Sequence, residues 1–129
     1  MILIERVVYN RKKNKFFNIM GNRHIDTFHN PPREGEITKY FKGTDDISEI
    51  TYFSNNKLHN TDGPAQTTYH ENGHVKWEIW MENGQTHNYH GPAWLIFSEM
   101  GTILRRRWFI HNVEVTREEY ITITDAIEN

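Results

Sequence analysis

The residues of this chain best suited to chemistry are its histidines: His59, His87 and His90, with His70, His74 and His111 close by in sequence. Imidazoles serve as metal ligands and as acid–base groups near neutral pH. The spacing argues against a metal, because no His-x-x-x-His pair on a helix and no glutamate-bearing companion motif accompanies them. His59 and His87 occupy one position of a repeating pattern, which favours turn or corner histidines whose ring nitrogens bond main chain. Ser48, Ser54 and Ser98 are the serines, and none sits in a Gly-x-Ser-x-Gly elbow; phosphate-loop and dinucleotide fingerprints are also missing from the sequence. The adjacent carboxylates Asp45-Asp46 and Glu118-Glu119 would point to opposite faces of a strand, which suits no paired acid and base. With no cysteine the chain has no disulfide scaffold, thiolate nucleophile or cysteine-ligated metal. The expectation is a non-enzymatic protein with no cofactor and no metal site.

Arg105-Arg106-Arg107 is the densest basic run. In a strand Arg105 and Arg107 share one face and Arg106 takes the other. Guanidinium forks match phosphate, so a phosphate-binding stripe is one reading. Edge protection or intersubunit ion pairing is the other, and a net charge of -2 favours it. Lys12, Lys13 and Lys15 form a second cluster, which reads as a solvated hairpin turn. A nucleic-acid or anionic-lipid binding module built on both clusters is the alternative to the leading function given below.

The elements that must position these residues come from a repeat. Gly63-Pro64-Ala65 returns as Gly91-Pro92-Ala93 after 28 residues, and in the same register His59 and Asn60 return as His87 and Asn88, Tyr69 as Phe97, Val75 as Ile103, Trp80 as Trp108 and Gly84 as Asn112. A weaker earlier copy sets Gly35 against Gly63, Phe41 against Tyr69 and Tyr52 against Trp80. Three units therefore tile residues 35–118, and such units bury their apolar faces against one another. Asn72-Gly73 and Asn83-Gly84 are two-residue turn signals of the type I′ kind, which predicts an antiparallel meander with strands over 65–69, 75–81, 85–88, 93–97 and 103–110 and a further turn at His111-Asn112. Pro64 and Pro92 belong at a strand start, Gly63 and Gly91 permit a tight corner, and the alanine leaves room for another backbone. Tyr52, Trp80 and Trp108 are read as an aromatic ladder in the repeat core, with Tyr69 and Phe97 as further core positions.

The ends depart from the period. Residues 1–34 read as a degenerate hairpin, in which Phe17, Gly21 and His24 have the spacing of Trp80, Gly84 and His87 and the strand 4–9 is the partner. At the other end Thr116-Arg117-Glu118-Glu119 is a capping box that announces a helix, whereas the alternation Ile121-Thr122-Ile123-Thr124 argues for a strand. Either would make residues 119–129 a cap. In the last unit Trp94 and Ile96 replace the polar Gln66 and Thr68, so a polar face has become apolar. A terminal repeat needs a polar outer surface, and the cover is either the C-terminal segment or a second subunit. A homodimer is expected, with Trp94 and Ile96 in the interface and Arg105 and Arg107 at its rim.

At 129 residues, 36% hydrophobic and 25% charged, the chain fits one domain with a modest core. No stretch approaches a membrane span or a signal-peptide core, which leads to the expectation of a protein that is not secreted. The run from Leu58 to Gly84, with Asp62-Gly63-Pro64-Ala65, Tyr69-His70-Glu71-Asn72-Gly73 and Trp77-Glu78-Ile79-Trp80, resembles the MORN-variant repeats of the aspartate-glycine-proline-alanine type found in giant DNA viruses such as the Marseillevirus group. His90 replaces the aspartate in the last unit, and Glu34-Gly35-Glu36-Ile37 has lost the signature in the first. The resemblance implies an all-β antiparallel sheet of hairpin repeats that works by protein–protein association, with itself and with a further protein. It also implies a viral structural or accessory component, located in the virion or the cytoplasm of an infected cell, and it carries no catalytic residue; without a viral origin the expected location is the cytoplasm.

Overall fold

Asparagine and glycine decide where this chain reverses. The structure, a computed structural model, describes residues 4–10 and 35–128. It is mostly antiparallel β-sheet closed by one C-terminal helix. The strands are β1 (Ile4–Asn10), β2 (Gly35–Phe41), β3 (Ile47–Ser54), β4 (Lys57–Leu58), β5 (Gln66–Tyr69), β6 (Val75–Ile79), β7 (Met81–Glu82), β8 (Gln85–Thr86), β9 (Trp94–Phe97), β10 (Ile103–Ile110) and β11 (Val113–Val115), followed by α1 (Arg117–Glu128). The main sheet runs β1-β2-β3-β5-β6-β9-β10-β11, with β4 hydrogen-bonded to β3, and β7 and β8 form a separate pair. β1 pairs with β2; Phe17, Gly21 and His24 of the expected first hairpin, and Lys12, Lys13 and Lys15, lie outside the described residues.

Three short hairpins turn on Asn55-Asn56, Asn83-Gly84 and His111-Asn112, and in each both central residues have positive φ, between 44° and 79°. That is the type I′ geometry, whose twist matches the flanking strands. The expected two-residue turn at Asn72-Gly73 is not one. His70 N–H donates to His74 O at 2.8 Å and Gly73 N–H to His70 O at 3.0 Å, with only Gly73 of the pair at positive φ. This is a three-residue loop with a left-handed glycine and a bulge, and the ladder shifts register beside it, between Thr68 and Tyr69. The loop before β10 matches it, with Gly101 N–H donating to Ser98 O at 3.0 Å.

The Gly-Pro-Ala corners also differ from expectation. Neither Gly63 nor Gly91 has a left-handed backbone, and an added Cβ would make only ordinary contact, 3.7 and 3.9 Å from the Nδ2 of Asn60 and Asn88. The corners are held instead by those asparagines. Asn60 Nδ2 donates to Pro64 O and its Oδ1 accepts from Asp62 N–H, both at 3.1 Å; Asn88 does the same with Pro92 O at 3.1 Å and His90 N–H at 2.9 Å. Ala65 and Ala93 are then fully buried, each with a donating N–H and an accepting carbonyl: Ala65 between Ile79 O and Tyr52 N, Ala93 between Arg107 O and Trp80 N.

The buried apolar side chains among the described residues are few: Ile37, Ala65, Ala93, Phe109 and Tyr120. Tyr52, Trp80, Trp108, Tyr69 and Phe97 are half-buried. At Trp80 the long strand expected over 75–81 breaks, because Trp80 N–H donates to Ala93 O and its carbonyl accepts from His87 N–H, a node where the chain leaves the main sheet for the β7–β8 hairpin. At the C-terminus the helix prevails over the strand. Thr116 N–H donates to Glu119 Oε1 at 2.8 Å and Glu119 N–H to Thr116 Oγ1 at 3.1 Å, a complete capping box. The β-branched threonines are accommodated by back-bonding, Thr122 to Glu118 O and Thr124 to Tyr120 O.

Candidate interaction surface

Register across the sheet brings the expected interface residues side by side. Gln66, Ile79, Trp94 and Arg107 face one another along one row, and Thr68, Trp77, Ile96 and Arg105 along the next. Directly opposed residues share a face, so Trp77, Ile79, Trp94 and Ile96 form an apolar block with Arg105 and Arg107 along one side. All four are half-buried. The Trp77 indole donates to Gln66 Oε1 at 3.3 Å, whereas Trp94 Nε1 is buried without a partner.

Arg107 spans the block and the next strand. Its guanidinium lies 4.6 Å from the Trp94 ring centre and 5.2 Å from that of Phe109, and its Nε and Nη2 each donate to Glu114 at 2.8 Å. Cation–π contact with two rings and a forked ion pair fix one guanidinium from three sides. The hydrogen bonds hold the Glu114 carboxyl below its usual range and raise the Arg107 guanidinium further. Arg105 and Arg106 are exposed.

The opposite face carries Trp108, and there the helix docks. The Tyr120 ring lies 6.4 Å from that of Trp108, and its buried hydroxyl donates to Asn88 O at 2.9 Å while accepting from Gly91 N–H at 2.8 Å. Trp108 and Arg107 are consecutive in β10, so their side chains leave opposite sides. α1 therefore seals the last Gly-Pro-Ala corner and leaves the Trp94 and Ile96 face to other cover.

The histidines do structural work at the corners. His59 Nδ1 accepts the Asn83 N–H and His87 Nδ1 the His111 N–H, each at 3.0 Å, tying one short hairpin to the turn of the next. His87 is only 2% exposed, stacks on His111 at 4.0 Å and 13°, and meets the Tyr89 ring edge-on at 4.1 Å. Its Nε2 is buried without a hydrogen bond, 3.9 Å from Glu82. Burial, and then the neighbouring His111, lower its pKa below the usual imidazole value, and Glu82 opposes them weakly. Among the described residues no group of three or more acidic, histidine or cysteine side chains is placed to hold a metal. Ser98 caps its own loop, accepting from Met100 and Thr102 N–H.

Set against protein-family models, curated proteins and solved structures, the chain matches none. No described helix is long and apolar enough to cross a membrane. Sequence reasoning missed Asn60, Asn88, Tyr120 and Glu114. The asparagines were visible as a repeated position, and Glu114 faces Phe109 once the two-residue turn at His111-Asn112 sets the register.

Proposed function

We propose that this is a non-enzymatic β-repeat protein that acts by protein–protein association and pairs with a second copy of itself through the face bearing Trp94 and Ile96. The observation that carries the reading is the placement of α1: it docks on the Trp108 side, while the contiguous block of Trp77, Ile79, Trp94 and Ile96 lies on the other. Within this reading the 28-residue units stack through main-chain links that recur in register. Asn60 N to Met81 O is followed by Asn88 N to Phe109 O, and Gly84 N to Leu58 O by Asn112 N to Thr86 O. Such arrays present broad surfaces to partners. Arg105 stands at the rim of the paired face, and Arg107 roofs Trp94 beside it. The resemblance to MORN-variant repeats supports a structural or accessory role in a giant DNA virus.

Light scattering on wild type and on Trp94→Gln/Ile96→Thr tests the pairing. The double variant restores the residues that the preceding unit carries at these positions, Gln66 and Thr68, so it keeps strand character. Wild type is expected at twice the chain mass and the variant at the mass of one chain. A monomeric wild type, or a variant that stays dimeric, overturns this interface.

A further inference from the structure

The sheet contains a strand seat that is used once and then offered again. On β6 the edge formed by Trp77, Glu78 and Ile79 is taken by β9, in the register Trp77 to Ile96, Glu78 to Leu95 and Ile79 to Trp94. Arg105, Arg106 and Arg107 stand 28 residues further on, in β10. On that strand the carbonyls of Arg107 and Phe109 accept from Ala93 and Asn88 on the inner side, and Trp108 and Ile110 pair outward with β11. Alternation then turns the main-chain N–H and C=O of Arg106 to the same outer edge as Trp108. β11 reaches only as far as Val115, opposite Trp108, before the capping box at Thr116 turns the chain into α1. Beyond that point the outer edge of β10 has no strand partner among the described residues.

A groove of about 400 Å³ runs along this edge, lined by Arg105, Arg106, Arg107 and Trp108 from β10 and by Arg117 at the start of α1. The two carboxylates on its wall, Glu114 and Glu119, are engaged by Arg107 and by the Thr116 N–H respectively. Arg105, Arg106 and Arg117 are exposed. From this juxtaposition we infer that the β10 edge binds an extended acidic peptide of a partner protein by strand addition, with Arg105 and Arg106 engaging carboxylates on the two faces of the added strand. This rests on the reading of the chain as a protein-association module and names the chemistry of one partner. A second copy does not fit here: antiparallel pairing of this edge with itself sets arginine against arginine, and like charges directly opposed are unfavourable. Phosphate fits less well than peptide, because an open strand edge presents carbonyl acceptors as well as N–H donors, and a phosphodiester can only accept.

Fluorescence anisotropy with a labelled peptide, Thr-Val-Thr-Glu-Asp-Glu-Thr-Val-Thr, tests the assignment. Saturable binding is expected, with none for the same peptide carrying lysine in place of its three acids. A peptide of identical charge with proline in place of both valines, read on the wild-type protein, is expected to bind at least about tenfold more weakly, since proline cannot donate to a ladder. Arg106→Gln should weaken binding by roughly three- to tenfold, and Arg106→Pro, which also removes the outward N–H, further still. Equal binding of the proline peptide, or tighter binding of a short duplex DNA, overturns strand addition. So does loss of the peptide site in a dimer that pairs through β10. The Trp94→Gln/Ile96→Thr variant is expected to keep the peptide site, so failure of the dimer and failure of this edge are read separately.

Discussion

The corner at His59 and the corner at His87 are built on one plan and end in different environments. Each histidine accepts a turn N–H at 3.0 Å, and each is followed by an asparagine that clamps a Gly-Pro-Ala corner. His59 stays half-buried, and the turn it holds begins with Asn83. His87 holds a turn that begins with His111, whose ring stacks on it, and the corner beside it is closed by the Tyr120 hydroxyl. A repeated motif therefore fixes the connection, and its neighbours decide whether that connection becomes core. With so few buried apolar side chains among the described residues, the aromatic and imidazole pile at the last corner is expected to carry a disproportionate share of the stability.

The largest test of that contrast is truncation of both histidines. His87→Ala removes a buried ring and leaves a buried N–H without its acceptor, which should cost about 3 kcal/mol. His59→Ala loses the same hydrogen bond at a half-exposed site, where water can replace it, and should cost about 1 kcal/mol. Urea denaturation followed by tryptophan fluorescence measures both. Equal losses would mean that the pile around His87 contributes nothing beyond the shared hydrogen bond. Tyr120→Phe is next in size. It deletes one hydroxyl, unsatisfies Asn88 O and Gly91 N–H together, and should cost about 2 kcal/mol while leaving the His59 corner untouched. Hydrogen exchange sharpens the outcome: protection should fall at Gly91 and His111 and hold at Asn83.

Much of this arrangement could be read before the structure, and the failures share a cause. Alternation and asparagine-glycine turns located β5, β6, β9, β10 and the Asn83-Gly84 reversal, because both are local signals, whereas β2 and β3 lie in the weak first copy and were not read as strands. Strand period puts Trp94 with Ile96 and Arg105 with Arg107, whereas their adjacency across β9 and β10 is set by a register that shifts between Ile103 and Arg105. The Asn55-Asn56 turn was missed because asparagine takes positive φ without an adjacent glycine to advertise it. The loop at residues 70–74 was misread because Asn-Gly is compatible with two turn types, and the bulge that chooses between them depends on pairing across β5 and β6. Tyr120 was illegible as an anchor while helix and strand both remained open for its segment, since only the helix brings its hydroxyl to the corner between Asn88 and Gly91.

The smallest effect lies in pH. The folded protein lowers the His87 pKa below its unfolded value near 6.5, so the unfolded chain binds the proton more readily than the folded one. The stability this confers is complete above the unfolded pKa and is lost as pH falls from about 6.5 towards the lower folded value. Because Nδ1 accepts from His111 N–H, the neutral ring carries its proton on Nε2; a second proton has to displace that hydrogen bond at Nδ1, and the resulting charge lies beside His111 with Glu82, 3.9 Å from Nε2, to offset it. His87→Asn keeps an acceptor near the Nδ1 position and removes the titration. The urea midpoint of wild type should therefore decline between pH 7.5 and 5.5 by more than that of His87→Asn, the remaining slope belonging to other groups. Parallel curves for the two proteins would show that His87 is protonated as easily in the native corner as in the unfolded chain, and that the corner's burial does not govern its charge.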